Sequence, residues 1–411
     1  MNRFITNIKI NQLYHLHDIN IPIPENNSHL LITGKNGSGK TILLKALADF
    51  LELVRNSHNL DFLEIDKHIQ INLDIRDKSG SDAVNKTRFQ NSVDYWLQKK
   101  KQYFGKVSAD INSIAEIYTK IKNGDFIYVY YPAERKTQML EPKNPTKPNL
   151  KDRVGIRSLL TDQFLYFLSD LKIQEALARN EGQVIDANNI KDWFDNFEGL
   201  MKDIYQDNKL RLIFNYKDYS FKINTNSKEF KFTEMSDGFV AAIDIVADLI
   251  LKMQSENSVV RKYEKEGIVL IDEIETHLHL ELQRIILPLL TRIFPNIQFI
   301  VTTHSPFVLN SMDNAVAYDM EHREIINDLT EYSYEALAEG YFGVDTDSSY
   351  MKMRLSEFEK LLSKSELTLG DKETLRNLKS DFEKIPEAVS PLLIGRFREL
   401  VIKYSEILKS L

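Results

Sequence analysis

Residues Leu30–Leu51 read LLITGKNGSGKTILLKALADFL. An apolar run passes through a glycine-spaced loop into a helix whose apolar side chains, Ile42, Leu43, Leu47, Leu51 and then Val54, recur along one side. Gly34–Thr41 (GKNGSGKT) fits the Walker A pattern in full, with a strand before it and a helix after it. Each position has a chemical reason. Glycines let the backbone N–H groups of Asn36, Gly37, Ser38 and Gly39 close around a β-phosphate that a Cβ would obstruct. Lys40 supplies a point charge to the β- and γ-phosphates, and the Thr41 hydroxyl reaches Mg²⁺. The helix beginning at Thr41 aims its positive end at the same anion.

Three later stretches complete a constellation. In GIVLIDE, Asp272 ends a continuous apolar run, where a carboxylate is costly unless it serves a metal; it is the expected Mg²⁺ partner. Glu273 beside it is the candidate general base, polarising the water that attacks the γ-phosphate. In IQFIVTTHSP, His304 follows the next apolar run and is placed to hydrogen-bond the γ-phosphate or that water. In MSDGF, Ser236 stands as an N-cap before a long helix striped by Phe239, Ile243, Val246, Ile250 and Met253. One phosphate already has its cradle at Lys40. A second phosphate-facing helix start makes sense if it addresses the nucleotide on another copy of the chain.

The remaining composition bounds the setting. The chain has 411 residues, 43% hydrophobic and 27% charged, with a net charge of -7, which argues against a uniformly basic nucleic-acid surface. It contains no cysteine, so disulfides and thiolate metal sites are excluded and a cytoplasmic location is expected. MNRFITNIKINQLYHL lacks the apolar core of a signal peptide, and no run is long enough to span a bilayer. Expected strands are a pair within Phe4–Pro24, HLLITG, HIQINLDI, DFIYVYYP, KLRLIFNY, EFKFTEM, GIVLIDE and IQFIVTTH. The regions of about 78–122 and 156–206 read as helical, and KTQMLEPKNPTKPNLKDR is the clearest loop.

Walker A, a short Ser-x-Gly signature, an Asp-Glu Walker B and a switch histidine, in that order, resemble the ABC ATPases, in particular the soluble SMC, Rad50 and OLD-related branch. YYPAERK, LIDEIETHLHLELQRIILPLLTRIFPNIQFIVTTHSPFVLNS and YSYEALAEGYFGVD are similar to ATPase subunits of bacterial anti-phage systems, most of all the Septu type. The resemblance implies an α/β P-loop NTPase of the ABC-head type, with a mixed β-sheet core, a helical insertion and a helical C-terminal extension. The implied divisions are a Walker A lobe (1–77), a largely helical insertion returning through strands (78–230), a lobe with signature, Walker B and switch His (231–327), and the extension (328–411). It implies ATP and Mg²⁺ as ligands and a homodimer or higher oligomer built from head-to-tail dimers, in which Ser236 and Gly238 cap the partner's γ-phosphate. It also implies a separate effector, a nuclease, with nucleic-acid contact left open and no membrane. A DNA-repair ATPase of the RecF or Rad50 kind, binding DNA directly, is the alternative.

Several features stay open at this stage. The signature reads Ser-Asp-Gly where transporters have Ser-Gly-Gly. The Q-loop role is unassigned among Gln138, Glu134 and Arg135. His277 and His279 look like a metal pair but fall where ABC subunits meet. Asp345 and Asp347 look like a nuclease acidic pair but sit in a segment too short for that domain, so a surface turn is expected. Phe397, Leu400, Val401, Tyr404, Ile407 and Leu411 line one side of the last helix, as core or as a docking face.

Overall fold

Parallel strands covered on both faces need near-continuous apolar sequence, and His29–Thr33 and Ile297–Thr302 are buried along their whole length. The computed structural model describes residues 3–58, 60–79, 82–135, 139–144, 146–149, 155–254, 263, 265–327, 329–334, 336–337, 349–364, 366–385 and 391–409. The chain divides into two units, Met1–Tyr334 and Glu335–Leu411.

The first unit begins with the antiparallel pair β1 (Ile5–Leu13) and β2 (Leu16–Pro22). β3 (His29–Thr33) then leads through the glycine loop to α1 (Lys40–Asn56), whose Leu43, Leu47, Leu51 and Val54 are all buried. A helical hairpin follows, α2 (Ile65–Lys78) and α3 (Ala83–Phe104), then β4 (Val107–Ile111), which pairs with β1, and α4 (Ile114–Asn123). After β5 (Phe126–Tyr131) come α5 (Phe164–Asn180) and α6 (Val184–Tyr205). Their shared interior is aromatic: Trp193 stacks on Phe197 at 5.4 Å and meets Phe167 edge-on at 5.5 Å. A small antiparallel sheet of β6 (Arg211–Asn215), β7 (Ser220–Asn224) and β8 (Glu229–Lys231) leads to α7 (Asp237–Met253).

The chain then completes the central sheet. β9 (Glu266–Ile271), α8 (Leu280–Ile293), β10 (Ile297–Thr302), α9 (Pro306–Leu309), β11 (Ala315–Asp319) and β12 (Glu324–Ile326) follow in order. The strand order is β12-β11-β3-β10-β9-β5, parallel except for the antiparallel edge strand β12. The mixed α/β architecture expected from the motifs is therefore the observed one. Gln298, fully buried on β10, ties the central sheet to the β2-β1-β4 sheet: its Oε1 accepts the N–H groups of Phe4 (3.0 Å) and Ile5 (2.7 Å), and its Nε2 donates to Ile5 O at 3.0 Å.

α7 is held by an interior polar network. Asp248 and Lys252 pair one turn apart. The Tyr131 hydroxyl and the Leu160 N–H each donate to Asp248 at 2.6 Å, and Lys252 donates to Ser158 O at 2.6 Å. A buried ion pair is tolerated when such bonds saturate both partners.

Some local expectations fail. HIQINLDI (residues 68–75) lies inside α2 and is no strand. Its alternating isoleucines mimic period two, yet Ile71 and Ile75 remain exposed while His68 stacks on Trp96 of α3 at 4.2 Å. Packing against the hairpin partner α3 decides the outcome over β-propensity. The polar stretch read as helical contains β4, and β7 lies between the two strands expected after residue 206. EFKFTEM is strand only for Glu229–Lys231. Ser236 occupies the N-cap position, but its side chain makes no capping hydrogen bond.

Helices Ser349–Leu362, Leu369–Glu383 and Pro391–Lys403 of the second unit surround Phe358, Phe382 and Phe397. Phe397 and Leu400 are core residues there, with Val401, Tyr404 and Ile407 packed against them; Leu411 lies outside the described residues. No helix among the described residues is long and apolar enough to cross a membrane.

His29 gives the fold a pH dependence. Its Nδ1 accepts the Phe299 N–H at 3.1 Å, and burial pushes the imidazole down to about 4. Protonation therefore favours the unfolded chain: the contribution is complete above the ordinary value near 6.5 and is lost as pH falls through about 4. We expect a loss on the order of 3 kcal/mol across that window. It should be absent in His29→Asn, whose amide oxygen accepts the same N–H. Urea titrations of both proteins with parallel pH profiles would contradict this.

Candidate active site

The loop after β3 takes its shape from glycine. Gly34, Gly37 and Gly39 have φ of 127°, 84° and 99°, which side chains rarely adopt. At Gly39 a Cβ would also stand 2.8 Å from Leu16 Cδ1 at the start of β2. Asn36 and Gly37 are exposed, Ser38 half-buried, and Lys40 buried at the first residue of α1, one earlier than expected. The Lys40 ammonium folds back on the loop, donating to Gly34 O (2.7 Å) and Lys35 O (3.0 Å). Burial pulls its pKa down to about 8, against the opposing pull of Glu273, Glu275, Asp272 and Asp319. The turn after β11 clasps the loop from outside, with Lys35 paired to Glu321 at 2.7 Å.

Asp272, at the end of β9, is 1% exposed. Its Oδ1 accepts the hydroxyls of Thr41 (3.1 Å, from α1) and Thr302 (2.7 Å, from β10), and its N–H donates to Tyr131 O at 2.9 Å. Glu273 follows at φ 44°, a left-handed conformation that costs a non-glycine residue about 1–3 kcal/mol and persists only where its surroundings enforce it. Two groups do so. Thr302 Oγ1 accepts the Glu273 N–H at 2.7 Å, and buried Arg135 donates to the carbonyls of Asp272 (3.3 Å), Glu273 (3.2 Å) and Ile274 (3.3 Å).

His304 is half-buried at the end of the next strand. Burial and then the Lys40 charge hold its imidazole below the ordinary value, so the ring is neutral at pH 7. The backbone N–H of His304 donates to Glu275 Oε1 at 2.5 Å.

Lys40, Thr41, Asp272, Glu273 and His304 are thus brought together on adjacent strand ends. Ser236 is exposed at the start of α7, and no hydrogen bond or ion pair among the described residues joins it or Gly238 to Gly34–Thr41. Gly238 is buried: a Cβ would lie 2.9 Å from His277 O and 3.1 Å from the His279 ring. The two histidines therefore back the signature turn, and no group of three or more His, Asp or Glu able to hold a metal occurs among the described residues. Glu134 is exposed; Gln138, Asp345 and Asp347 lie outside the described residues.

The motifs did not announce Thr302 or Glu275, and they offered Arg135 only as one of three Q-loop candidates, not as the brace of the Glu273 turn. Each stood beside a recognised element, in IVTTH, PAER and IDEIE, but its partner is remote in sequence. Thr302→Val is nearly isosteric and removes both a donor to Asp272 and the acceptor for Glu273 N–H. We expect a loss of about 1–3 kcal/mol in urea denaturation; a change within about 0.5 kcal/mol would show the hydroxyl to be dispensable.

A family model described as "AAA domain, putative AbiEii toxin, Type IV TA system" matches residues 30–310. The Septu protein PtuA of Bacillus mycoides (strain KBAB4) is 31% identical over 183 residues, 42% of this chain; the match spans 25% of that protein's length. The retron Vc95 probable ATPase of Vibrio cholerae serotype O1 biovar El Tor is 25% identical over 403 residues, 80% of this chain and 74% of the relative. Among solved structures, the Smc head bound to the C-winged helix domain of ScpA is 13% identical, with a TM-score of 0.37 over 79% of this chain and 97% of that one. With its family signature spanning the glycine loop, Asp272, Glu273 and His304, the chain belongs to this AAA-domain family.

Proposed function

We propose that the chain is an Mg²⁺-dependent ATPase that works as a head-to-tail dimer and regulates a separate effector, a nuclease, in an anti-phage defence complex. The observation that carries the ATPase reading is the convergence of Lys40, Thr41, Asp272, Glu273 and His304 at the carboxyl ends of β3, β9 and β10. The N–H groups of Asn36, Gly37, Ser38, Gly39 and Lys40 would wrap the β-phosphate, and the Lys40 ammonium would exchange its two loop carbonyls for phosphate oxygens. The Thr41 hydroxyl and the Asp272 carboxylate, 3.1 Å apart, are hard oxygen donors of the kind Mg²⁺ takes. When bound, Mg²⁺ would neutralise charge on the phosphates. Glu273 would accept the proton of the attacking water, and neutral His304 would hydrogen-bond that water or the γ-phosphate.

Ser236 and Gly238 are assigned to the nucleotide of a second copy. Their separation from the chain's own loop in the hydrogen-bond network supports this. So does the free capping position of Ser236, whose hydroxyl is not spent on its own helix. Aspartate at position 237 is exposed beside it and would alter that contact relative to Ser-Gly-Gly signatures. The names of the matched relatives, a Septu protein and a retron probable ATPase, support a defence role; the separate effector is our inference. Direct DNA binding through long arms of the Rad50 kind has less support. The longest helices of the hairpins, α3 and α6, have 22 residues each, about 33 Å in length.

Glu273→Gln keeps the shape of the site and removes the base. It should bind ATP with Mg²⁺ normally, turn over at least ~10²-fold more slowly, and accumulate a dimer seen by light scattering. Turnover at the wild-type rate would refute the assignment. Ser236→Arg should bind nucleotide as a monomer with unchanged affinity yet fail to dimerise with ATP; normal dimerisation would remove the cross-subunit role.

A further inference from the structure

We propose that Glu275 is a positioning residue for hydrolysis, fixing His304 relative to Glu273; this rests on the ATPase reading above. Glu275 sits midway along the turn between β9 and α8. Two residues before it Glu273 has φ 44°, and two residues after it His277 has φ 68°. A turn with two left-handed side-chain residues holds its shape only when braced. Arg135 braces its first half, through the carbonyls of Asp272, Glu273 and Ile274. On the other side the brace is Glu275, whose Oε1 accepts the His304 N–H at 2.5 Å.

Three successive anchors locate the segment that carries His304. The Thr303 N–H donates to Ile32 O on β3 at 3.0 Å, His304 donates to Glu275, and Ser305 Oγ donates to Gln283 on α8 at 2.7 Å. The first ties the segment to the strand before the glycine loop, and the third to the helix beyond the turn. Thr302 already ties the strand end to this turn, through its Oγ1 to the Glu273 N–H and its O to the Ile274 N–H at 3.3 Å. The Glu275 anchor fastens His304 itself to the turn, and so it sets how that residue sits relative to the base. Burial raises the Glu275 carboxyl, while the His304 N–H works the other way; the nearby Arg135 cation supplies compensating charge. Displacing catalytic groups by about 1 Å can cost 10²-fold in rate without touching the residues that bind substrate.

The test compares wild type, Glu275→Ala and Glu275→Gln at a temperature where all three are folded, reading kcat and the Kd for ATP with Mg²⁺. Glu275→Ala should lose about 10–100-fold in kcat with Kd within about threefold, because the phosphate and Mg²⁺ residues are untouched. Glu275→Gln should recover to within about fivefold of wild type, since its amide oxygen accepts the same N–H. Wild-type kcat in Glu275→Ala, or no recovery in Glu275→Gln, would overturn the proposal, as would a fall in melting temperature with kcat unchanged. A wild-type protein without turnover would instead sink the ATPase reading and this proposal with it.

Discussion

One buried carboxylate oxygen holds the site in register. Asp272 Oδ1 takes hydroxyl donors from α1 and from β10, while the backbone N–H of the same residue is held by β5. Four elements distant in sequence therefore converge on a single residue that solvent barely reaches. A lone carboxylate in such a place costs several kcal/mol, so each of these bonds is needed for the strand ends to stay where they are. The parallel pairing of β9 with β10 and of β10 with β3 supplies the rest: Ile271 stands opposite Val301, and Val301 opposite Leu31. The residues that follow these three strands emerge side by side because their strands do.

Charge and strain around that junction follow from the same arrangement. Lys40 is buried within the fields of Glu273, Glu275, Asp272 and Asp319, and burial still lowers its pKa. Its ammonium satisfies its donors on the loop's own carbonyls, Gly34 O and Lys35 O. Glu273, the proposed base, is held in a left-handed backbone by a threonine on one side and an arginine on the other, so strain is stored at that residue.

Much of this was legible in the sequence because the chemistry is written locally. A phosphate loop needs glycines at fixed spacing, and an acid at the end of an apolar run stands out against the cost of burial. Continuous β-branched runs correctly marked β9 and β10. The remote partners were not legible. Thr302 looked like any strand residue, and Arg135 like one member of a loop. Their roles depend on pairings across 30 and 137 residues. HIQINLDI misled because alternation over eight residues does not separate a strand from a helix whose exposed face is apolar. Ser236 was placed correctly at a helix start, yet the expected cap is not made.

On the proposed reading, the cradle at Lys40 and the helix start at Ser236 belong to opposite halves of one composite site, each chain completing its partner's. Specific ATPase activity measured against protein concentration, with oligomeric state followed by light scattering, tests that division most directly. Activity per chain is expected to fall steeply once dilution dissociates the dimer. Unchanged activity per chain in a preparation shown to contain single chains alone would contradict it.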